Sequence, residues 1–102
     1  MLAHNNKTGV TAQPNQEALI AEWTADGFSY LIGFTGTGTY SGEFLLYVGG
    51  EPHYVYQTSP GNRTAYIADR GVRLDAGVKV QLKVKHEDDE AQTFKGTILG
   101  GR

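Results

Sequence analysis

The chain carries three histidines, His4, His53 and His86, and histidine is the residue type most often used to bind metals or to move protons near neutral pH. They lie far apart in the sequence, and none has a second histidine or a carboxylate at a spacing diagnostic of a metal site. We therefore interpret them as surface or strand-end residues. The chain has no cysteine, which excludes disulfides, thiolate metal sites and cysteine nucleophiles.

Four consecutive acidic residues, 87–90, follow His86 in the stretch "HEDDEAQ". Oxygen-rich loops of this kind can bind Ca²⁺, but the spaced acidic residues and the central glycine of an EF-hand loop are missing. A solvated hairpin tip explains the run better. We expect no metal and no cofactor.

Three serines, Ser29, Ser41 and Ser59, are the candidate nucleophiles of a hydrolase. None lies in a G-x-S-x-G elbow, and a domain of 102 residues offers little room for a substrate cleft. Paired carboxylates for glycoside cleavage are a spatial arrangement, so sequence alone does not exclude them. The sequence nevertheless favours a protein that is not an enzyme.

A glycine-rich stretch, "GFTGTGTYSGEF" at residues 33–44, raises the alternative of a phosphate-binding loop. Gly36, Gly38 and Gly42 give G-x-G-x-x-x-G, which misses the G-x-G-x-x-G spacing of a dinucleotide fingerprint. The residues that follow predict a strand, so no helix N-terminus would face a phosphate. We interpret the stretch as a flexible connection between two strands.

From residue 17 onward, apolar and polar residues alternate, which is the period of a strand with one buried face. In "VKVQLKVK" one face holds Val78, Val80, Leu82 and Val84. In "FSYLIGF" the same period places on one face Phe28, Tyr30, Ile32 and Phe34. Turn signals such as Gly49-Gly50-Glu51-Pro52 and Asp75-Ala76-Gly77 separate about eight such strands. This pattern predicts a single antiparallel sandwich or barrel over residues 17–102.

Residues 1–16 are polar and have no period, so we expect an extended N-terminal arm rather than a folded element. An arm of this composition should be disordered unless something holds it, and a neighbouring subunit is the obvious candidate. The net charge of −2 gives no sign of a nucleic-acid partner. The sequence shows neither a membrane span nor the apolar core of a signal peptide, so we expect a protein made and kept in a cytoplasm or inside something assembled there.

The tyrosines suggest a different kind of function. Tyr54 and Tyr56 share a strand face, and two exposed rings at that spacing would make a stacking platform for a sugar. The alternative is that these rings fill a thin core or a subunit interface, where tyrosine is enriched. A row of lysines at 79, 83 and 85 either touches phosphates or, more commonly, keeps an exposed sheet face soluble.

Residues 20–100 resemble small β-sandwich proteins encoded in the structural gene clusters of tailed phages. The matching motifs are Gly42-Glu43-Phe44, Ser59-Pro60-Gly61-Asn62-Arg63, Ala76-Gly77, Val78-Lys79-Val80 and Phe94-Lys95-Gly96-Thr97-Ile98-Leu99-Gly100. These motifs are structural rather than catalytic. Relatives often carry a Pro-Ala-Gly turn where this chain has Thr24-Ala25-Asp26-Gly27.

The resemblance implies a jelly-roll-like sandwich of about eight strands that works as a component of the virion, assembled in the host cytoplasm. The expected role is a capsid decoration (cement) protein: a homotrimer whose partner is the major capsid protein. The residues expected to contact partners are Leu2, Val10 and Gln13 in the arm, and Arg63 as a polar anchor. The alternative is a tail, fibre or baseplate module that binds a host glycan through Tyr54 and Tyr56.

Overall fold

The computed structural model describes residues 2–4, 9–58 and 64–101, and the side chains of residues 9–58 and 72–101. The described residues form nine strands and no helix. They are β1 (Leu2–His4), β2 (Val10–Ala12), β3 (Ala18–Thr24), β4 (Ser29–Gly38), β5 (Glu43–Val48), β6 (Glu51–Gln57), β7 (Thr64–Leu74), β8 (Lys79–Lys85) and β9 (Gln92–Gly101). In this part of the chain, no helix exists that is long and apolar enough to cross a membrane.

The strands form two antiparallel sheets. Sheet A has the order β1-β9-β4-β7, with β2 also paired to β9, and sheet B has the order β3-β8-β5-β6. Strands β1 and β2 pair with opposite ends of β9, so together they fill one strand position. Counted in this way, eight strand positions follow the order of a jelly roll, with neighbours in each sheet drawn from both halves of the chain. The predicted all-β, jelly-roll-like sandwich is confirmed.

The alternation predicted for β8 is present in the structure. Val80, Leu82 and Val84 are fully buried, whereas the lysines and the glutamine between them are exposed or half-buried. The core lies between the two sheets, where Phe44 of sheet B packs against Phe34 and Phe94 of sheet A at ring-centroid distances of 6.4 and 6.0 Å. Burial of such large rings supplies much of the stability of a thin sandwich.

The prediction that one face holds Phe28, Tyr30, Ile32 and Phe34 is wrong. The register of β4 with β9 shifts by one residue between Leu31 and Gly33, which marks a β-bulge, and the register with β7 is irregular at the same place. A one-residue shift reverses the face of every following side chain. Tyr30, before the bulge, is therefore exposed, whereas Phe34, after it, is buried. Phe28, which precedes β4, is also exposed, and Ile32 is half-buried.

The N-terminal segment also differs from the expectation. Two parts of it are folded elements, because β1 and β2 pair with β9 of the same chain. The edge of β9 offers unpaired backbone N–H and C=O groups, and these accept any extended segment whatever its side-chain period. The alternation of apolar and polar residues therefore could not predict these two short strands.

Eight of the twelve residues of the glycine-rich stretch lie in β4 or β5, so most of it is strand and not a flexible connection. Gly36 and Gly38 lie inside β4, and only residues 39–42 connect it to β5. A Cβ atom added to Gly36 would lie 2.6 Å from the Phe44 ring, and one added to Gly38 would lie 2.1 Å from the Phe94 ring. These glycines let two core rings lie directly against the backbone of sheet A.

Candidate functional site

The residues expected to contact partners are not brought together among the described residues. Leu2 pairs with Gly100 at one end of β9, whereas Val10 pairs with Phe94 towards the other end. Val10 is half-buried and packs against the core, and Gln13 is exposed. Arg63 lies outside the described residues.

Tyr54 and Tyr56 lie on one face of β6, as their spacing predicts. They pair with Leu46 and Phe44, so this face is the one that β5 turns towards the core. Tyr54 is half-buried and packs against the core, whereas Tyr56 is 42% exposed. Most of the exposed aromatic surface of β6 therefore comes from Tyr56, and the two tyrosines do not form an equally exposed pair.

His86 directly follows the last residue of β8, in agreement with the strand-end interpretation, but its side chain is buried and does not lie on the surface. Its ring Nε2 lies 2.7 Å from the carbonyl oxygen of Ala12, and its Nδ1 accepts a hydrogen bond from the N–H of Asp88 at 3.2 Å. With the proton on Nε2, the neutral ring satisfies both contacts. The backbone oxygen of His86 also accepts a hydrogen bond from Asn15 at 2.9 Å. His86 thus fastens the end of β2 to the loop after β8.

His53 shows no comparable arrangement, and the side chain of His4 lies outside the described residues. His53 is exposed on β6 and contacts the Tyr54 ring at a centroid distance of 5.9 Å. The described residues contain no group of three histidine or acidic side chains placed to hold a metal ion.

The acidic run after His86 is partly organised by hydrogen bonds. The Gln92 side chain donates a short hydrogen bond to the Asp88 carboxylate. This bond, together with weaker contributions from the backbone N–H groups of Asp89 and Glu90, lowers the pKa of Asp88. Asp88 therefore orders the connection from β8 in sheet B to β9 in sheet A. Because these two strands lie in different sheets, the hairpin tip predicted for the acidic run is wrong.

The outer face of sheet B carries charges that are mostly paired. Lys79 lies 3.6 Å from Glu22, and Lys83 lies 4.0 Å from Glu17. A hydrogen bond from Gln81, with a smaller contribution from Lys79, lowers the pKa of Glu22. Such exposed pairs contribute little to stability, but they leave these lysines less free to bind phosphates.

Tyr47 lies on the same outer face and is held from two sides. Its hydroxyl donates a hydrogen bond to Glu17 at 3.0 Å, which raises the pKa of Tyr47. The ammonium group of Lys83 lies 4.6 Å from the centre of the ring. This tyrosine belongs to a paired surface network and not to the core.

An aromatic and arginine cluster on the outer face of sheet A was missed by the sequence analysis. The rings of Phe28 and Tyr30 meet edge to face at 5.1 Å, and the guanidinium carbon of Arg73 lies 4.4 Å above the Phe28 ring. Phe28 is 45% exposed and Tyr30 is 40% exposed. The sequence signal that could have revealed this cluster is Gly33, because a glycine inside a strand often marks a bulge.

A cleft of about 280 Å³ opens at one end of the sandwich. It is lined by the connection from β4 to β5, by the ends of β6 and β8, and by His86. Its floor is buried: the Gly42 carbonyl accepts a hydrogen bond from the Thr58 N–H at 2.9 Å, and His86 closes the wall beside it. Among the described residues, this cleft and the Phe28–Tyr30–Arg73 cluster are the two candidate binding sites.

No protein-family model matches this chain, and no curated protein matches it. Function therefore has to be argued from these two features, from the fold and from the motifs quoted above.

Proposed function

We propose that the protein is a non-enzymatic component of a phage virion: a capsid decoration (cement) protein that binds the outside of the major capsid shell and stabilises it. Support comes from the resemblance of its motifs to small phage sandwich proteins and from its jelly-roll order of strands. Because one fold hosts many functions, the fold alone is a weak argument. Further support for the proposal has to come from the exposed residues.

The observation that carries the proposal is the exposed cluster of Phe28, Tyr30 and Arg73. Aromatic residues and arginine are enriched in protein interfaces and supply most of the residues that dominate binding energy. Here the guanidinium already lies over a ring, and the Arg73 Nε contacts Asp75 only weakly, at 3.8 Å. The cluster is thus pre-arranged to bury rings against a partner while Arg73 pairs with a carbonyl or carboxylate.

The dimensions of the molecule are compatible with such an interface. The described chain measures 41 × 21 × 21 Å, so one long face has an area similar to the roughly 800 Å² that each partner buries in a standard interface. Three copies joined in a homotrimer would present three such patches to the shell. The effective concentration of the second and third contacts then converts weak contacts into stable attachment.

Co-sedimentation with phage heads that lack this protein tests the proposal. We expect the wild-type protein to load onto heads, and we expect Phe28→Ala and Arg73→Ala to weaken loading at least tenfold, which corresponds to about 1.4 kcal/mol. Leu19→Ala is a matched control, because Leu19 has a similar exposure of 40% but lies on the opposite sheet.

Two results would count against this function. If the wild-type protein ignores heads but sediments with host cells or with host lipopolysaccharide, a tail module that binds glycans is the better description. If Leu19→Ala loses loading as strongly as the two cluster variants do, the Phe28–Tyr30–Arg73 cluster is not the contact surface.

A further inference from the structure

The cleft beside His86 carries polar side chains that have no partner among the described residues. Lys85 of β8 and Gln57 of β6 both pair in register with Glu43 of β5, which places the three side chains side by side on one face of sheet B. In the described part of the chain, none of these side chains takes part in a hydrogen bond or an ion pair.

The contrast with the rest of β8 makes this arrangement notable. Lys79 and Lys83 of the same strand each have an acidic partner within 4.0 Å. Lys85 lies opposite Glu43 in the strand register, but the two side chains form no ion pair. Among the lysines of β8, Lys85 at the opening of the cleft is thus the one with no acidic partner in the described part of the chain. The donors and acceptors of Lys85, Gln57 and Glu43 remain available to a ligand.

The charged side chains that line the cleft indicate which chemical class of ligand it can bind. Glu43 and Glu87 are acidic and Lys85 is basic, so an anion such as phosphate would meet more carboxylates than ammonium groups. A divalent cation would need a cluster of oxygen or nitrogen ligands, and the described residues contain no such group of three. An uncharged ligand that both donates and accepts hydrogen bonds fits this mixture best.

Tyr40 adds an apolar surface to the same cleft. It lines the opening, its side chain is 37% exposed, and its ring contacts His86 at a centroid distance of 6.2 Å. Because His86 is buried and hydrogen-bonded, it supports Tyr40 from a fixed position. An aromatic ring with one supported side can stack on the C–H face of a pyranose while polar neighbours bind its hydroxyls.

We propose that this cleft binds one saccharide unit through Tyr40, Glu43, Gln57 and Lys85. Its volume of about 280 Å³ lies just below the range of pockets for drug-sized ligands, which suits one or two small rings. The site differs from the Tyr54–Tyr56 face of β6. Binding here is independent of where the protein attaches to a virion, since a head protein and a tail protein could both carry it.

The test is a titration of isotope-labelled wild-type protein, followed by amide NMR shifts, with glucose, galactose, mannose, rhamnose and N-acetylglucosamine. We expect at least one sugar to give saturable shifts confined to residues 40–43, 57–58 and 85–87, with a Kd on the order of 1 mM. Tyr40→Ala and Glu43→Gln should each weaken that binding about tenfold. Tyr30→Ala, which removes a ring of similar exposure far from the cleft, should leave it unchanged.

Three outcomes would overturn the proposal. The first is the absence of saturable shifts with every sugar of the panel. The second is sugar binding that persists unchanged in both Tyr40→Ala and Glu43→Gln. The third is a response of the same residues to glycine or to acetate but to no sugar, which would identify a site for charged ligands. Circular dichroism of each variant separates loss of binding from loss of fold.

Discussion

At the scale of single residues, His86 shows how one buried polar side chain can join segments far apart in the sequence. It contacts Ala12 of β2 through one ring nitrogen and Asp88 through the other, and its backbone oxygen binds Asn15. The sequence correctly places His86 at the end of a strand. Its burial depends on a segment more than seventy positions away, and no local pattern reports that.

We expect His86→Ala to lower the free energy of unfolding by about 2–4 kcal/mol, because it leaves a buried carbonyl without a donor and opens a small cavity. His86→Gln should cost clearly less, since a glutamine amide can place a donor near the position of Nε2. Urea denaturation of the three proteins measures both effects. Equal unfolding midpoints for His86→Ala and the wild type would show that the contact with Ala12 is not stabilising.

Asp88 gives a prediction about pH. Because hydrogen bonds from Gln92 and from the backbone lower its pKa in the folded state, Asp88 stabilises the fold above the pKa it has in the unfolded chain. That contribution disappears as the pH falls through the folded-state pKa. In urea titrations across the acid range, Asp88→Asn and Gln92→Ala should therefore each show a shallower loss of stability than the wild type. A slope as steep as that of the wild type in both variants would contradict this role.

At the scale of the elements, the glycines of β4 connect sequence to packing. The Cβ that Gly38 lacks would lie 2.1 Å from the fully buried Phe94 ring, so a side chain there forces the ring to move. We expect Gly38→Ala to destabilise the fold by about 1–3 kcal/mol, in the range of overpacked cores. Thr37→Ala, a half-buried neighbour on the same strand, is the matched control and should cost less than 1 kcal/mol. Thermal unfolding of both variants decides, and similar losses would be inconsistent with close packing at Gly38.

The two N-terminal strands give a second prediction at this scale. Deletion of residues 1–8 removes β1, whereas deletion of residues 1–15 also removes β2, with the buried Ala12 and its bond to His86. We expect the longer deletion to destabilise the domain markedly more than the shorter one, measured as the shift in urea midpoint. If both truncated proteins unfold at the wild-type midpoint, the N-terminal segment is an arm that contributes nothing to its own domain.

The sequence predicted most of the strands, but it did not predict the bulge in β4 or the two short strands β1 and β2. Alternation in "VKVQLKVK" and the turn at Gly49-Gly50, where both residues have positive φ, correspond to β8 and to the β5–β6 hairpin. The bulge in β4 escaped prediction because the alternation of residue types does not report a change of register, and Gly33 is its local sign. Strands β1 and β2 escaped because they are held by backbone pairing with β9.

At the scale of the whole molecule, the two stacked sheets enclose little space among the described residues. A ligand or partner protein would therefore bind at an exposed face or in the cleft beside His86. The sequence could identify the sandwich because its period runs through the entire domain. The cleft and the position of Arg73 beside Phe28 could not be predicted, since each combines residues from strands that only the jelly-roll topology makes neighbours. The assignment to a virion depends on the motifs and on that exposed cluster together.

Our central proposal is that this protein decorates the outside of a phage head as a trimer. If a phage encodes the protein, electron cryomicroscopy of its virions, compared with virions in which the gene is deleted, measures this directly. The account predicts trimeric density on the outer head shell at positions of local threefold symmetry, present in the first sample and absent from the second. Density lost from the tail or baseplate, or two identical particles, would contradict it.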